Sequence, residues 1–471
     1  MTVHINLLIS CLRQFMGNDQ IVDSHDINYI KYSTEKRGNF ASNPAYVIFP
    51  KNTDELAKII AYCNEFEVGV VPQGGNSGLV GGSVADVSEI IISSKLMNSI
   101  VVNPSNLSCE VGAGAILADV KEECNKHNLF VPLTLPSQCT CTIGGNIATN
   151  AGGINVLKYG STKDNILGIE AVLPNGDIYS DLNTLRKRNI GSDFKHLLIG
   201  SEGLMGFVSK ATMKLFPKPK KSIHMLLSVA SINNLHSMFQ AFYQEFYPYL
   251  SAFEIFNSYS LHLAQKHYLS HWFPIKRLDN HWYVLATLDL YNDSIDFYTA
   301  ITNQINQVIA YNKFSDNYYI TENDKIWDTR LCISDAQKQE GFNIKHDISV
   351  PIDKIIAFIQ ETEVILAEKY NNKLILVIFG HMGDGNLHYN ISLKDGDNIN
   401  DLRVMQNEIR AIVIKQAIKF NGTFSAEHGV GQIYTEQLKE YYYNNQYFYL
   451  KKLKHILDPK NIFNRNKVIV N

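Results

Sequence analysis

The spacing of apolar residues changes several times along this chain, and each change marks an element. Tyr46-Val47-Ile48-Phe49 is a short apolar run that stops at Pro50 and reads as a strand. Thr53 to Asn64 carries helical periodicity and reads as an amphipathic helix with Thr53 as its N-cap. Val68-Gly69-Val70-Val71 is a buried strand running straight into glycine-rich sequence. From Leu96 to Phe216 short strands alternate with turns; Glu170–Leu173, the Pro174-Asn175-Gly176 turn and Asp177–Tyr179 form one such unit. The Pro/Lys-rich stretch from Phe216 to Ser222 marks a domain boundary. Tyr- and Phe-rich strands and helices follow to about residue 420, and helical segments with a turn at Pro459 close the chain. There is no internal repeat and no low-complexity tract.

Composition narrows the class. A length of 471 residues predicts two or three domains. With 43 Lys+Arg against 46 Asp+Glu the formal charge is −3, which leaves no basic footprint for nucleic acid. The longest clean apolar run, Leu374 to Phe379, is far too short to span a bilayer. The opening stretch lacks the basic segment and small-residue cleavage site of a signal peptide. Seven scattered cysteines fit a reducing compartment. The expectation is a soluble cytoplasmic protein; homodimerisation and docking on the inner membrane surface stay open.

Chemistry concentrates first in glycine. Pro72 to Ser83 holds five glycines in twelve residues, a density that exposes backbone amides to close approach by a ligand. Ile143 to Gly153, preceded by Pro136-Ser137, and Gly200-Ser201-Glu202-Gly203 repeat the theme. The phosphate-loop motif fails for want of a Lys-Ser/Thr ending, and Gly112-Ala113-Gly114 lacks the third glycine of the dinucleotide fingerprint. Three separated clusters suit one long ligand such as a dinucleotide.

A second constellation lies in Phe379-Gly-His381-Met-Gly-Asp-Gly-Asn-Leu-His388-Tyr-Asn390, at the end of a strongly apolar strand. His381 and His388 are seven apart, so on one regular strand they would face opposite sides. The Gly383-Asp384-Gly385 insert breaks that strand and can re-aim both imidazoles at one point. Asn390 shares the face of His388. Glu427 and His428 follow on a glycine-flanked segment, and two His with one Glu make a divalent-metal site with open positions, the arrangement catalytic zinc prefers. Manganese, iron or cobalt would also accept these donors. Any one of these histidines alone is more often a packed or surface residue.

Trp327 to Ser334 places Arg330 and Ser334 four apart on one helix face, and Lys345 follows fifteen residues after Arg330. From Asn343 to Pro351 the pattern alternates, with Ile344, Ile348 and Val350 on one side and Lys345 and Asp347 on the other. An Arg, a hydroxyl and a Lys converging would hold a carboxylate, although such residues are often only a solvated face. Cys139-Thr140-Cys141 has no second pair and is read as structural.

Taken together, "PQGGNSGLVGG", "TIGGNIATNAGG", "KYGSTKDNILGIEAVLPNG" and "GSEGLMGFVSKATMKLFPKP" resemble the FAD-binding domain of the vanillyl-alcohol oxidase superfamily, in its branch of D-2-hydroxyacid dehydrogenases. The resemblance runs from about residue 40 to the end. It implies an α+β fold: a two-subdomain FAD-binding domain, an α+β cap with an antiparallel sheet, and a C-terminal helical segment. The implied boundaries are 1–40 for an N-terminal helical segment, 41–219 for the FAD-binding domain (PCMH type), 220–424 for the cap and 425–471 for a segment returning to the FAD domain. The flavin contacts implied from the first loop are Pro72, Gln73, Gly74, Gly75, Asn76, Ser77, Gly78, Leu79, Gly82 and Ser83. From the second come Pro136, Ser137, Ile143, Gly144, Gly145, Asn146, Ala148, Thr149, Asn150 and Gly153. Tyr159, Gly160, Glu202, Gly203, Gly206 and Asn464 complete them. Some relatives attach flavin to a His in the first loop; Asn76 occupies that neighbourhood, which implies non-covalent FAD.

In the D-2-hydroxyglutarate branch the matching His381, His388 and Glu427 bind zinc, and the match of His428 is the proposed base. An Arg, a Thr four later and a Lys fifteen after the Arg contact the distal carboxylate there. Ser334 replaces that Thr and keeps the hydroxyl. Asn390 is carried over as a substrate contact. In the tail Leu457-Asp458-Pro459-Lys460 is intact, but Asn464-Arg465-Asn466-Lys467 lacks the family's second proline, which leaves the local loop geometry open. The activity implied is oxidation of D-2-hydroxyglutarate to 2-oxoglutarate, with D-lactate, D-malate or glycolate as runners-up. Electrons would pass to a quinone or an electron-transferring flavoprotein. A flavin relay subunit without chemistry of its own and a metal-dependent hydrolase are the rivals; the metal constellation argues against the first and the glycine loops against the second.

Overall fold

The computed structural model describes residues 2–27, 29–35, 40, 43–269, 272–394, 399–442 and 445–470. It divides into two units: residues 1–153, 160–218 and 427–471 form the first, and residues 154–159 and 219–426 the second.

The first unit contains two main sheets. Val47–Ile48, Glu89–Ser93 and Gly69–Gln73 run parallel, with Ile21–Val22 antiparallel at the far edge. Ile90 and Ile92 are fully buried on one face with the helix Thr53–Glu65, which contributes Leu56, Ile59, Ile60 and Cys63. Leu8 and Leu12 join the same core. The helix cap lies one residue earlier than the sequence predicts: the Asn52 side chain accepts the Glu55 amide at 2.9 Å. Thr53 instead donates its hydroxyl to Glu170 and lies 3.1 Å from Ser209 Oγ, both on the second sheet, so it ties the two sheets together. That second sheet is antiparallel, in the order Ile100–Asn103, Ser108–Gly112, Phe207–Lys214, Ile166–Val172, Ile178–Asp181.

The chain's last segment completes this unit. Gly69–Gln73 is an edge strand, and Phe463 bridges it in parallel at Val70. The Val70 amide donates to Ile462 O at 2.7 Å and Val70 O accepts from the Asn464 amide at 2.9 Å. Asp458 makes that turn. Its carboxylate accepts the amides of Ile462 and Phe463, each at 2.9 Å, and pairs with the buried Lys454. Lys454 in turn donates to the carbonyls of Leu204 and Phe463. In the tail segment Asn464-Arg465-Asn466-Lys467-Val468, residues Asn464, Asn466 and Val468 all take positive φ (43°, 57° and 63°). Asparagine tolerates that region; for β-branched Val468 it is a strained position.

The second unit is built on a seven-stranded antiparallel sheet. Its order is Tyr318–Thr321, Lys221–Val229, Trp282–Leu290, Leu250–Asn257, Leu374–His381, Asn386–Leu393, Asp347–Ser349. Alternate side chains feed two cores. Ile223, Met225 and Leu227 meet the helices Asn233–Phe246, Ile295–Asn312 and Ile355–Lys369 on one face. Leu226, Phe256, Tyr283, Val377 and Phe379 meet the helices Ser258–His267 and Ile333–Gln339 on the other. Ile344, Ile348 and Val350 fall together in the first core, as their alternation predicts. Among the described residues no helix is long and apolar enough to cross a membrane.

Candidate active site

In the first unit the three glycine clusters interlock. A Cβ on Gly75 would stand 1.9 Å from Thr140 O, and one on Gly74 would stand 2.3 Å from Thr142 Oγ1. The first loop therefore packs backbone against backbone on the second. Gly203, at φ +75°, sits against Pro72, and the amides of Gly200 and Glu202 donate to Ile147 O and Ala148 O at 3.0 and 2.7 Å. Gly78 is different: nothing lies within 4 Å of where its Cβ would be. The convergence leaves unmet polar atoms. Gln73 Oε1, Asn146 Nδ2 and Asn464 Oδ1 are buried without a hydrogen-bond partner, as expected where a polar ligand is received. Loops that converge, an open glycine and orphaned amides fit a bound dinucleotide such as FAD.

Several of the expected flavin contacts hold the loops themselves. Asn76, at φ +50°, donates to Lys31 O and Thr34 O and accepts from Ser83 Oγ at 2.9 Å. Asn150 Oδ1 accepts from Ser161 Oγ and the Lys163 amide. Glu202 accepts the amides of Val430 and Gly431 at 2.7 and 2.9 Å, while Asn464 Nδ2 donates to Glu202 O. Burial raises the Glu202 carboxyl above its ordinary value, and those two amides offset only part of that rise. Gln432 donates from its amide to Val80 O at 2.8 Å and from its side chain to Gly81 O at 2.7 Å. The segment that follows Glu427 and His428 is thus pinned to the first and third glycine loops. Tyr159 belongs to the second unit, where its hydroxyl meets Asp289 at 3.2 Å and Tyr291 at 2.8 Å.

In the second unit the two histidines share a face for a reason the sequence reading missed. The Gly383-Asp384-Gly385 stretch is the turn of a hairpin, not a break within one strand. His381 pairs with Asn386 and Phe379 with His388, so His381 and His388 are diagonal neighbours across the hairpin, with ring centroids 6.0 Å apart. Opposite His381 in the register stands Glu254, only 1% exposed. One Glu254 oxygen accepts from Arg330 Nε at 2.7 Å and the other bonds His381 Nδ1. Burial alone would raise the Glu254 carboxyl; its contacts with His381 and Arg330 overcome that and hold it below its ordinary value. The Arg330 guanidinium also stacks 4.6 Å from the Phe379 ring centroid.

Arg330 and Ser334 do not share one helix. Asp328–Leu331 and Ile333–Gln339 are separate short helices that meet at Cys332. Lys345 Nζ nonetheless donates to Ser334 Oγ at 3.0 Å. Asn390 is buried, and both ends of its amide are used within the protein, by the His346 amide at 3.2 Å and Gln337 Oε1 at 2.9 Å. The segment before Glu427 is also fixed here: the Ala426 amide donates to Asp347 O at 3.2 Å. His381 and His388, with Glu427 one peptide bond beyond this unit, make up a donor set able to hold a metal ion. Sequence reasoning missed Glu254, whose only local signal is a lone charge within the apolar run Leu250–Asn257.

Residues 44–181 match the family described as FAD binding domain, and residues 218–468 the family of FAD linked oxidases, C-terminal domain. Crystallised proteins share the fold: p-cresol methylhydroxylase with substrate bound superposes with a TM-score of 0.74 over 99% of this chain and 97% of that one, at 15% identity. A 4-ethylphenol oxidase from Gulosibacter chungangensis gives 0.74 over 100% and 98%, at 16% identity. The fold and its glycine cradle therefore define an FAD-linked oxidoreductase of α+β architecture.

Curated relatives narrow the class. The Danio rerio D-2-hydroxyglutarate dehydrogenase, mitochondrial, is 35% identical over 89% of this chain and 77% of its own length. The Xanthomonas citri pv. viticola D-2-hydroxyglutarate dehydrogenase is 31% identical over 93% and 92%. A Saccharomyces cerevisiae D-2-hydroxyglutarate–pyruvate transhydrogenase is 29% identical over 98% and 94%. The chain belongs to the family of FAD-dependent D-2-hydroxyacid dehydrogenases.

Proposed function

We propose that this enzyme oxidises D-2-hydroxyglutarate to 2-oxoglutarate, with non-covalent FAD and a divalent metal, zinc by choice of donors. The observation that carries the dicarboxylate reading is the meeting of Lys345 and Ser334 at 3.0 Å, four residues from Arg330. A lysine, a hydroxyl and an arginine gathered in one part of the fold are what a second substrate carboxylate requires. The names of the relatives in Danio rerio and Xanthomonas support the same substrate.

The roles follow from the chemistry. The converging loops from Pro72 to Ser83, Pro136 to Gly153 and Glu202 to Gly206 hold the flavin, which when bound accepts a hydride. His381, His388 and Glu427 hold the metal, which when bound supplies a Lewis acid for the hydroxy-acid end of the substrate. His428 takes the hydroxyl proton, and Arg330 and Lys345 hold the distal carboxylate. Asn390, with its amide satisfied internally, supports the strand beneath the substrate. Electrons leave to a quinone or an electron-transferring flavoprotein. A cytoplasmic location is proposed from the scattered thiols and is checked by cell fractionation.

The test is anaerobic addition of D-2-hydroxyglutarate, then of D-lactate, with flavin absorbance followed in a stopped-flow instrument. Rapid bleaching by the dicarboxylate is expected. Bleaching by lactate alone overturns the substrate assignment, and bleaching by neither substrate in a flavin-loaded protein overturns the activity.

A further inference from the structure

Nothing in the strand pattern around Glu254 calls for a carboxylate. Its neighbours Phe253, Ile255 and Phe256 are all core residues, and a buried charge is costly unless its oxygens are met. Both are met, and by two different parts of the proposed site. The register sets Glu254 opposite His381, and its oxygen bonds Nδ1 of that ring. A carboxylate there keeps the imidazole proton on Nδ1, so the lone pair sits on Nε2, the atom that would bind a metal. The second oxygen holds Arg330 by Nε, which leaves the two Nη groups of the fork for a substrate carboxylate. Phe379, two residues before His381 on the same strand, fixes the guanidinium plane from the other side.

We infer that Glu254 is the positioning residue of this site: one buried carboxylate that orients the metal-binding ring of His381 and the carboxylate-binding fork of Arg330 together. The inference rests on the metal reading above and adds to it a residue outside the ligand set. Metal affinity and preference for dicarboxylates are then linked through a single side chain, and a loss of Glu254 impairs both while the flavin loops, in the other unit, are untouched.

The experiment compares wild-type protein with Glu254→Gln. The metal-free proteins are titrated with zinc in competition with a chromophoric chelator, and flavin content and thermal unfolding are recorded as controls on the fold. KM is measured for D-2-hydroxyglutarate and for D-lactate. The expected result is zinc binding weakened about 10- to 100-fold. The KM for D-2-hydroxyglutarate should rise several-fold more than that for lactate, with flavin retained. Unchanged zinc affinity in the variant overturns the inference while leaving the metal site standing. Wild-type protein that takes up no zinc overturns the metal reading, and this inference with it. If Glu254→Gln does not fold, the same titration is made on Glu254→Asp, whose carboxylate is one methylene shorter: several-fold weaker zinc binding supports the inference, and wild-type affinity overturns it.

Discussion

Arg330, proposed above to hold the distal carboxylate, is also the buried partner of Glu254. It is 7% exposed and neutralises Glu254, so Arg330→Met leaves a buried carboxylate with His381 as its remaining partner. Breaking a buried pair from one side costs about 3–5 kcal/mol. The expected outcome is a loss of that order in urea unfolding, recovered in large part by the double variant Arg330→Met/Glu254→Gln, which removes the stranded charge. Equal stability of the single variant and the wild type would show that the pair contributes nothing. At this scale the sequence singled out His381, His388 and Lys345 because glycines or alternating apolar residues flank them, and the structure sets the two rings side by side and Lys345 against Ser334. Glu254 was not singled out, because its partners lie 76 and 127 residues away, at Arg330 and His381. Its own strand shows only an isolated acid among apolar residues.

Elements were read best where a single periodicity governs them and worst at their junctions. The helix over Thr53–Glu65 and the turn at 174–176 follow from local pattern. The hairpin at Met382–Gly385 did not, since a Gly-Asp-Gly stretch serves equally as a bulge or a reversal and only the pairing of Phe379 with His388 decides. The break at Cys332 carries no glycine or proline to announce it. Within the glycine loops two kinds of position can be told apart by experiment. Gly75→Ala drives a methyl into Thr140 O and is expected to lower both thermal stability and flavin content. Gly78→Ala meets no protein atom within 4 Å, so stability should stay near wild type while flavin content falls. Flavin-to-protein absorbance ratios and thermal melts measure both; full flavin content in Gly78→Ala would show that the open face at Gly78 does not receive the cofactor.

For the whole molecule, the division of labour between units has a simple readout. The flavin loops belong to one unit, and His381 and His388 to the other. A strong chelator is expected to abolish turnover without releasing flavin, and added zinc to restore it. Loss of flavin together with activity would mean that the metal supports the fold of the cradle rather than the chemistry. The short detour of residues 154–159 into the second unit was not readable in the sequence, because nothing in its six residues marks a change of allegiance. Its anchor, Tyr159 on Asp289 and Tyr291, is again a long-range contact.

The bridge from Phe463 to Val70 also sets a schedule for synthesis. A ribosome finishes Gly69–Gln73 about 390 residues before it delivers the segment that covers that strand's edge. At about 5–20 residues per second the nascent chain carries that strand with its outer edge unpaired for tens of seconds. Through that interval the strand's outer edge is open to wrong pairing, and a chain truncated before Phe463 is expected to expose the same edge in the finished sheet, which faster proteolysis of the truncated chain would report.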